Sequence, residues 1–144
     1  MPNTNYDSDF FAWANEQAAL LRSGAMTQAD IENIAEEIES MGRAEKREFV
    51  NRLTVLLLHL LKWRFQPGKR GSSWETSINV QRIQTSAHLA DNPSLRGKVA
   101  DCIAAAWQVA LLEAANETGL PKQTFPAACP YSFEQLMDRD FWPD

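Results

Sequence analysis

The sequence has few of the residues that cross-link a fold or export a protein. Its two cysteines, Cys102 within a helical pattern and Cys129 in a proline-flanked loop, are too few for a disulfide framework, so we expect two reduced thiols. The N-terminal residues lack the basic and then apolar run of a signal peptide. The most apolar stretch, residues 53–61, is shorter than the ~20 residues that a membrane helix needs. These absences predict a cytoplasmic protein that is not anchored in a membrane.

The sequence also lacks the spacings that mark metal sites and activated nucleophiles. A di-iron site of the ferritin type needs Glu-x-x-His, but Leu56 lies three residues before His59, and Thr85 lies three before His88. The zinc spacings Cys-x-x-Cys and His-Glu-x-x-His are missing, and no serine lies in a Gly-x-Ser-x-Gly turn. We therefore expect no metal and no cofactor.

What is present is the composition of an ordinary globular domain. The chain has 144 residues, of which 44% are hydrophobic and 23% are charged. This predicts one domain over residues 1–144 with a core of its own. Fourteen basic and nineteen acidic residues give a net charge of −5, which argues against non-specific binding of nucleic acid.

Apolar residues recur with the period of a helix along the whole chain, and no convincing strand alternation appears. The spacing predicts five helical stretches, over about 9–22, 27–41, 44–65, 73–90 and 95–118. Thr27 caps the second stretch, and Gly119 ends the fifth. A short helical turn follows, capped by Ser132 and Gln135. The second and third stretches have nearly the same helical phase, so they form either one long kinked helix or two helices with a tight junction. Gly42 slightly favours a break between them. Short connections imply antiparallel neighbours. We expect an all-α, up-and-down bundle of four to five helices, with a short C-terminal helical turn packed back on it.

Several short segments occur in an order that characterises a known family. They are residues 33–43, 59–63, 66–67, 73–74, 81–82, 93–95, 117–120, 125–126 and 129–130. Together they resemble the bacterial family called domain of unknown function 29, over residues 6–143. Ala44 departs from this resemblance, which implies a serine there, and leaves the junction at Gly42 open. The resemblance implies an all-α fold and supplies no catalytic residue, because the family has no established activity.

The second helix is strongly acidic. Residues 30–39 include five acidic side chains and no basic one. Glu36 faces away from the apolar stripe formed by Ile31, Ile34, Ile38 and Met41, as a solvated residue does. Glu37 flanks that stripe and is the position best suited to a general acid or base, although a salt bridge is the commoner role for such a residue.

The third helix is apolar nearly all round and has one polar line, formed by Glu48, Arg52, His59 and Lys62. The simpler interpretation is that this polar line is the solvent-exposed edge of an otherwise buried helix. The alternative is a row of ionisable groups in a groove, in which His59 titrates near neutral pH.

Arg82 occupies a core-facing position on its helix, between Ile78 and Leu89. A buried guanidinium must find an acceptor, because leaving it unpaired costs several kcal/mol. The carboxylates of the second helix, Glu37 first and Glu36 next, are the expected partners. The pair is either architectural or the floor of a small ligand site.

Residues 62–74 interleave four basic with three aromatic side chains, a composition that suits single-stranded nucleic acid. The helical phases instead place Trp63 and Trp74 as largely buried anchors on either side of an exposed basic turn. Given the negative net charge, we favour this structural interpretation and do not expect nucleic-acid binding.

Two functions from different classes follow. The first is a non-enzymatic helical interaction module that binds an unknown protein partner or forms a homodimer. The second is a small enzyme or ligand-binding bundle that uses an ionisable cluster of Glu37, His59 and Arg82, with Glu36 beside them. The sequence does not identify which residue of that cluster would be catalytic.

Overall fold

A computed structural model describes residues 6–144 of the chain. It contains five α-helices: α1 (Phe10–Arg22), α2 (Ile31–Phe65), α3 (Ser72–Asp91), α4 (Val99–Thr118) and α5 (Phe133–Met137). Single turns or pairs of turns of 3₁₀-helix lie between them, and no strand forms within the described residues. Every regular element of the described residues is helical, so the predicted all-α fold class is confirmed.

The chain divides into two compact units. The N-terminal unit extends to Ala44 and is described from residue 6, and the C-terminal unit is Glu45–Asp144. The expectation of a single domain over residues 1–144 stays a prediction.

Helix α2 runs without interruption through Gly42, so the predicted break there is wrong. Glycine costs about 1 kcal/mol in a helix relative to alanine, but it ends a helix mainly where the backbone turns to positive φ. Among the described glycines only Gly24 and Gly119 have positive φ. The side chains of Glu36 and Arg43 also pair across Gly42 at 2.9 Å. Continuation therefore costs little, and the helical pattern on both sides determines the result.

Local capping signals were predicted with mixed success. Ser132 and Gln135 form the predicted capping box at the start of α5, and Gly119 ends α4 with a φ of 74°. Ser72 and Glu75 also have the spacing of a capping box, but no box forms there, because Gly71 is the N-cap of α3 and Ser72 is its first residue. Asp30 provides the side-chain acceptor at the start of α2, where Thr27 was expected to begin the helix.

The core of the C-terminal unit is built around the apolar half of α2. Leu53, Leu56, Leu57, Leu60 and Leu61 are fully buried there. Helices α3 and α4 and the C-terminal segment complete it with Ile78, Leu89, Cys102, Ala106, Trp107, Ala110, Leu111, Ala114, Phe125 and Leu136. The alanines of α4 have small side chains, which allow neighbouring segments of the same unit to approach this helix closely.

The C-terminal segment packs back on this core as predicted. The rings of Trp142 and Trp63 lie 4.6 Å apart between centroids. Trp63 and Trp74 are partly exposed, so they are mostly but not fully buried, which agrees with the prediction. Their exposed edges meet cations: Arg70 lies 5.1 Å from the Trp63 ring, and Lys62 lies 5.2 Å from the Trp74 ring.

Candidate functional site

An apolar groove lies in the N-terminal unit. One face of α1, including Phe10 and Leu21, forms one wall, and Ile34, Ile38 and Met41 of α2 contribute the other. The groove has a volume of about 430 Å³ and is open to solvent. We call it the N-terminal groove.

The N-terminal unit leaves most of its large apolar side chains uncovered. Of the twelve exposed large hydrophobic residues in the described chain, seven lie in this unit: Phe10, Phe11, Leu21, Met26, Ile31, Ile38 and Met41. Ile38 and Met41 are 64% and 67% exposed. Trp13 is the one buried hydrophobic side chain in the described part of the unit. Four of these residues, Phe10, Leu21, Ile38 and Met41, line the same groove.

Sequence analysis interpreted the stripe of Ile31, Ile34, Ile38 and Met41 as core-facing, and this was wrong. Ile34 is half-buried, and the other three are exposed. Helical phase shows which residues share a face but not what covers that face.

A polar network fixes the base of the N-terminal unit. Trp13 donates its indole N–H to Asp30 Oδ2 at 3.1 Å, and the main-chain N–H of Asp30 donates to Gln17 Oε1 at 2.7 Å. Asn33 donates to the same carboxylate oxygen at 2.8 Å. The hydrogen bond from Asn33, with a smaller one from Trp13, holds the pKa of Asp30 below its ordinary value, although partial burial opposes it. The network therefore ties α1 to the first turn of α2.

Glu37 lies at the edge of the N-terminal groove and accepts a hydrogen bond from the hydroxyl of Tyr6. This bond, helped by burial and by the carboxylate charge, raises the pKa of Tyr6 to about 12. Glu36 is exposed and pairs with Arg43 on the solvent side of α2. Neither carboxylate lies in the dry, enclosed pocket that a general acid or base needs.

The charge of the chain is concentrated in the N-terminal unit. Residues 1–44 carry eight acidic and two basic side chains, whereas residues 45–144 carry eleven acidic and twelve basic ones. The net charge is therefore −6 in the first segment and +1 in the second. The groove belongs to a strongly acidic unit.

His59 lies in the C-terminal unit, on the polar line of α2. Its Nδ1 is 2.8 Å from the carbonyl oxygen of Val55, one turn earlier in the same helix. On the same line, Lys62 pairs with Glu117 at 2.9 Å. The polar line is thus a half-exposed edge that forms ion pairs within the unit, as its simpler interpretation predicted.

Arg82 is buried, with 1% of its surface exposed, as predicted. Its Nε donates to the carbonyl oxygen of Leu136 and its Nη2 to that of Phe141, both at 2.7 Å. The guanidinium also lies 5.5 Å from the ring of Trp142. Burial lowers the pKa of Arg82 because it disfavours the charged form, and Asp138 opposes this effect in part. Arg82 therefore binds the C-terminal segment to α3.

The predicted partner of Arg82 was wrong. Two main-chain carbonyls replace the carboxylate of Glu37 or Glu36 as its acceptors. One of them belongs to Leu136 at the end of α5, where a helix leaves its last carbonyls without partners in the helix. Glu36 and Glu37 belong to the N-terminal unit, and His59 and Arg82 belong to the C-terminal unit. Each has the contacts described above within its own unit, and the ionisable cluster of Glu37, His59 and Arg82 stays a prediction.

Three of the four basic side chains of residues 62–74 contact the protein's own aromatic rings. Arg70 donates to the carbonyl oxygen of Trp63 at 2.6 Å and lies over its ring. Lys62 lies over the ring of Trp74, and Arg64 stacks 5.0 Å from the ring of the residue that follows it. These contacts support the structural interpretation of the segment.

A second apolar groove, of about 600 Å³, lies in the C-terminal unit between α4 and residues 128–133. Ile103, Trp107 and Tyr131 contribute to its lining, together with Cys129. Burial raises the pKa of the Cys129 thiol, which disfavours the reactive thiolate. This groove thus offers apolar surface but no activated nucleophile.

Residues 6–144 also bear on metal binding and on membrane insertion. In that range, no group of three or more His, Cys, Asp or Glu side chains could hold a metal ion. None of the helices described is both long enough and apolar enough to cross a membrane.

The fold and the N-terminal groove define an all-α protein with an uncovered apolar surface on an acidic unit. The chain belongs to the family described as Domain of unknown function DUF29, which matches residues 5–142. The resemblance found in the sequence is thereby confirmed. Comparisons with curated proteins and with solved structures found no match.

Proposed function

We propose that this chain is a non-enzymatic interaction module that acts in the cytoplasm and binds a partner protein in the N-terminal groove. The observation that carries the proposal is the exposure of Phe10, Ile38 and Met41 along one groove. Burying an exposed side chain of this size contributes about 1.5–3 kcal/mol. A partner that covers several of them gains most of the binding energy of a small interface.

The enzymatic alternative has weaker support. It requires Glu37, His59 and Arg82 to contact one substrate, but each of these side chains already has a hydrogen-bond partner in the protein. Two donors of Arg82 are held by main-chain carbonyls, and His59 is bonded to its own helix. A cytoplasmic location is supported by the two free thiols, Cys102 and Cys129, which suit a reducing compartment.

The test uses a pair of matched substitutions. Ile38→Asp introduces a charge into the groove, whereas Ile83→Asp does the same at an exposed isoleucine of α3 outside it. Circular dichroism first establishes that both variants keep the helical content of the unchanged protein. Affinity capture from cells then identifies proteins retained by the unchanged chain, and calorimetry measures the affinity of each purified pair.

We expect the Ile38→Asp variant to lose at least about 100-fold in affinity for a groove-bound partner, because binding would bury an unpaired carboxylate. The Ile83→Asp variant should bind like the unchanged chain. Equal affinity of all three proteins for every captured partner would show that the groove is not the binding site.

A further inference from the structure

The charge around the N-terminal groove restricts the chemistry of its partner. Glu37 lines the groove, and Asp9 caps α1 immediately before Phe10. Asp30 lies at the start of α2, where its lowered pKa keeps it ionised. With a net charge of −6 on residues 1–44, the field around the groove is negative even though Arg43 offsets the charge of Glu36.

The groove also has the form that accepts a helix. Its walls are two helices, and apolar side chains project from both. Helix α1 has 13 residues and so is about 20 Å long, which matches a partner helix of three to four turns. An amphipathic helix that lays its apolar face in such a groove is a common mode of recognition.

We propose that the occupant of the N-terminal groove is a basic amphipathic helix of a partner protein, with leucine-like residues on one face and Lys or Arg along its flanks. This inference rests on the proposed function of the groove and adds the class of the partner. Opposite charge speeds association and selects the partner, while the apolar face supplies the affinity.

The same charges oppose two other occupants. A second copy of this chain would bring one unit of net charge −6 against another, and like charges across an interface are unfavourable. An anionic membrane surface attracts basic segments and repels an acidic one. The basic helix is the occupant that satisfies both the apolar groove and its charge.

The experiment measures binding of two synthetic peptides to the full chain by fluorescence anisotropy. Both peptides have about 20 residues and the same apolar stripe, with Lys on the flanks of one and Glu on the flanks of the other. We expect the Lys peptide to bind at least about tenfold more tightly than the Glu peptide at ~50 mM salt. That difference should shrink several-fold at ~500 mM salt, where charges are screened over a shorter distance.

Three variants separate the contribution of the groove from that of the charge. Ile38→Asp should abolish binding of the Lys peptide, and Ile83→Asp should leave it unchanged. The double substitution Glu32→Lys and Glu39→Lys alters two exposed residues that do not line the groove. It should reduce the advantage of the Lys peptide at least about threefold without abolishing binding.

Each contrary outcome has a definite meaning. If both peptides bind equally and both lose affinity with Ile38→Asp, the groove function stands and the basic partner is wrong. If neither peptide binds while a captured protein still depends on Ile38, again only the inference about the partner fails. If Ile38→Asp leaves the affinity for the Lys peptide unchanged, both the basic partner and the groove as a partner site are wrong. The same conclusion follows if light scattering shows that the groove joins two copies of the chain.

Discussion

The Nε atom of Arg82 donates a hydrogen bond of 2.7 Å to the carbonyl oxygen of Leu136, although 54 residues separate them in the chain. A second bond of the same length reaches the carbonyl oxygen of Phe141. One buried cation in α3 therefore fixes two points of the C-terminal segment. Both acceptors are neutral, so these hydrogen bonds compensate part of the cost of burial, and the charge of Asp138 compensates another part. Nη1 is buried without a hydrogen-bond partner among the described residues.

Removing this cation should destabilise the C-terminal unit. Arg82→Ala leaves the buried carbonyl of Leu136 and the part-buried carbonyl of Phe141 without their donor. An unpaired buried group costs about 1–3 kcal/mol, and the substitution also removes buried packing atoms. We expect a loss of about 3–5 kcal/mol in the free energy of unfolding, measured by urea titration with circular dichroism. The control is Arg139→Ala, which alters an exposed arginine and should change stability by less than about 0.5 kcal/mol. A loss below about 1 kcal/mol for Arg82→Ala would contradict the role assigned here.

The double substitution Arg82→Ala and Glu37→Gln tests the absence of an Arg82–Glu37 pair. Because Arg82 contacts main-chain carbonyls and Glu37 contacts Tyr6, the two losses should add to within about 0.5 kcal/mol. Urea titrations of the two single variants and the double variant give the coupling energy. A coupling above about 1 kcal/mol would restore the carboxylate partner that the sequence suggested.

Gly42 offers a direct test of the continuity of α2. A Cβ at this position would meet no atom within 4 Å, and the residue lies inside the helix. Gly42→Ala should therefore stabilise the protein by about 0.5–1 kcal/mol. The matched control is Gly119→Ala, which also has open space but a φ of 74° and should lose about 1–2 kcal/mol. Destabilisation by Gly42→Ala in thermal unfolding would indicate a break in the helix.

The features that sequence predicted correctly depend on residues close together in the chain. The capping box of Ser132 and Gln135 spans three residues, and the stop at Gly119 depends on one. Burial of Arg82 followed from its phase between Ile78 and Leu89. Each of these signals lies within the residue pattern of a single helix and its ends.

The features that the sequence did not predict depend on which distant residues pack against a given helical face. The acceptors of Arg82 are main-chain carbonyls, which every residue possesses, so no side-chain pattern could mark Leu136 or Phe141. The exposure of Ile38 follows from the lack of a covering element, which the helical period cannot show. The Tyr6–Glu37 bond joins residues 31 positions apart, with no spacing rule to connect them.

Self-association is expected through α4 rather than through the N-terminal groove. Leu112 is 60% exposed, Val109 is exposed beside it, and the C-terminal unit has almost no net charge to oppose pairing. We expect light scattering to give twice the monomer mass of 16.3 kDa for the unchanged protein. Leu112→Asp should give the monomer mass, and Ile38→Asp should leave the dimer intact. A monomer at high concentration of the unchanged protein would rule out this interface.

Tyr6 provides a titration that reports on the edge of the groove. Its hydroxyl donates to Glu37, and this bond, with burial and the carboxylate charge, raises the pKa of Tyr6 from 10.0 to about 12. The folded state holds the proton more tightly than the unfolded state, so the bond stabilises the fold below pH 10, and this contribution is lost as pH rises from 10 to about 12. Glu37→Gln removes the negative acceptor and should return the pKa towards 10.0. Ultraviolet absorbance of the phenolate measures both values, and the Tyr6→Phe variant isolates the signal of Tyr131, whose pKa is raised chiefly by burial. A Tyr6 that ionises near pH 10 in the unchanged protein would show that Glu37 is not its partner.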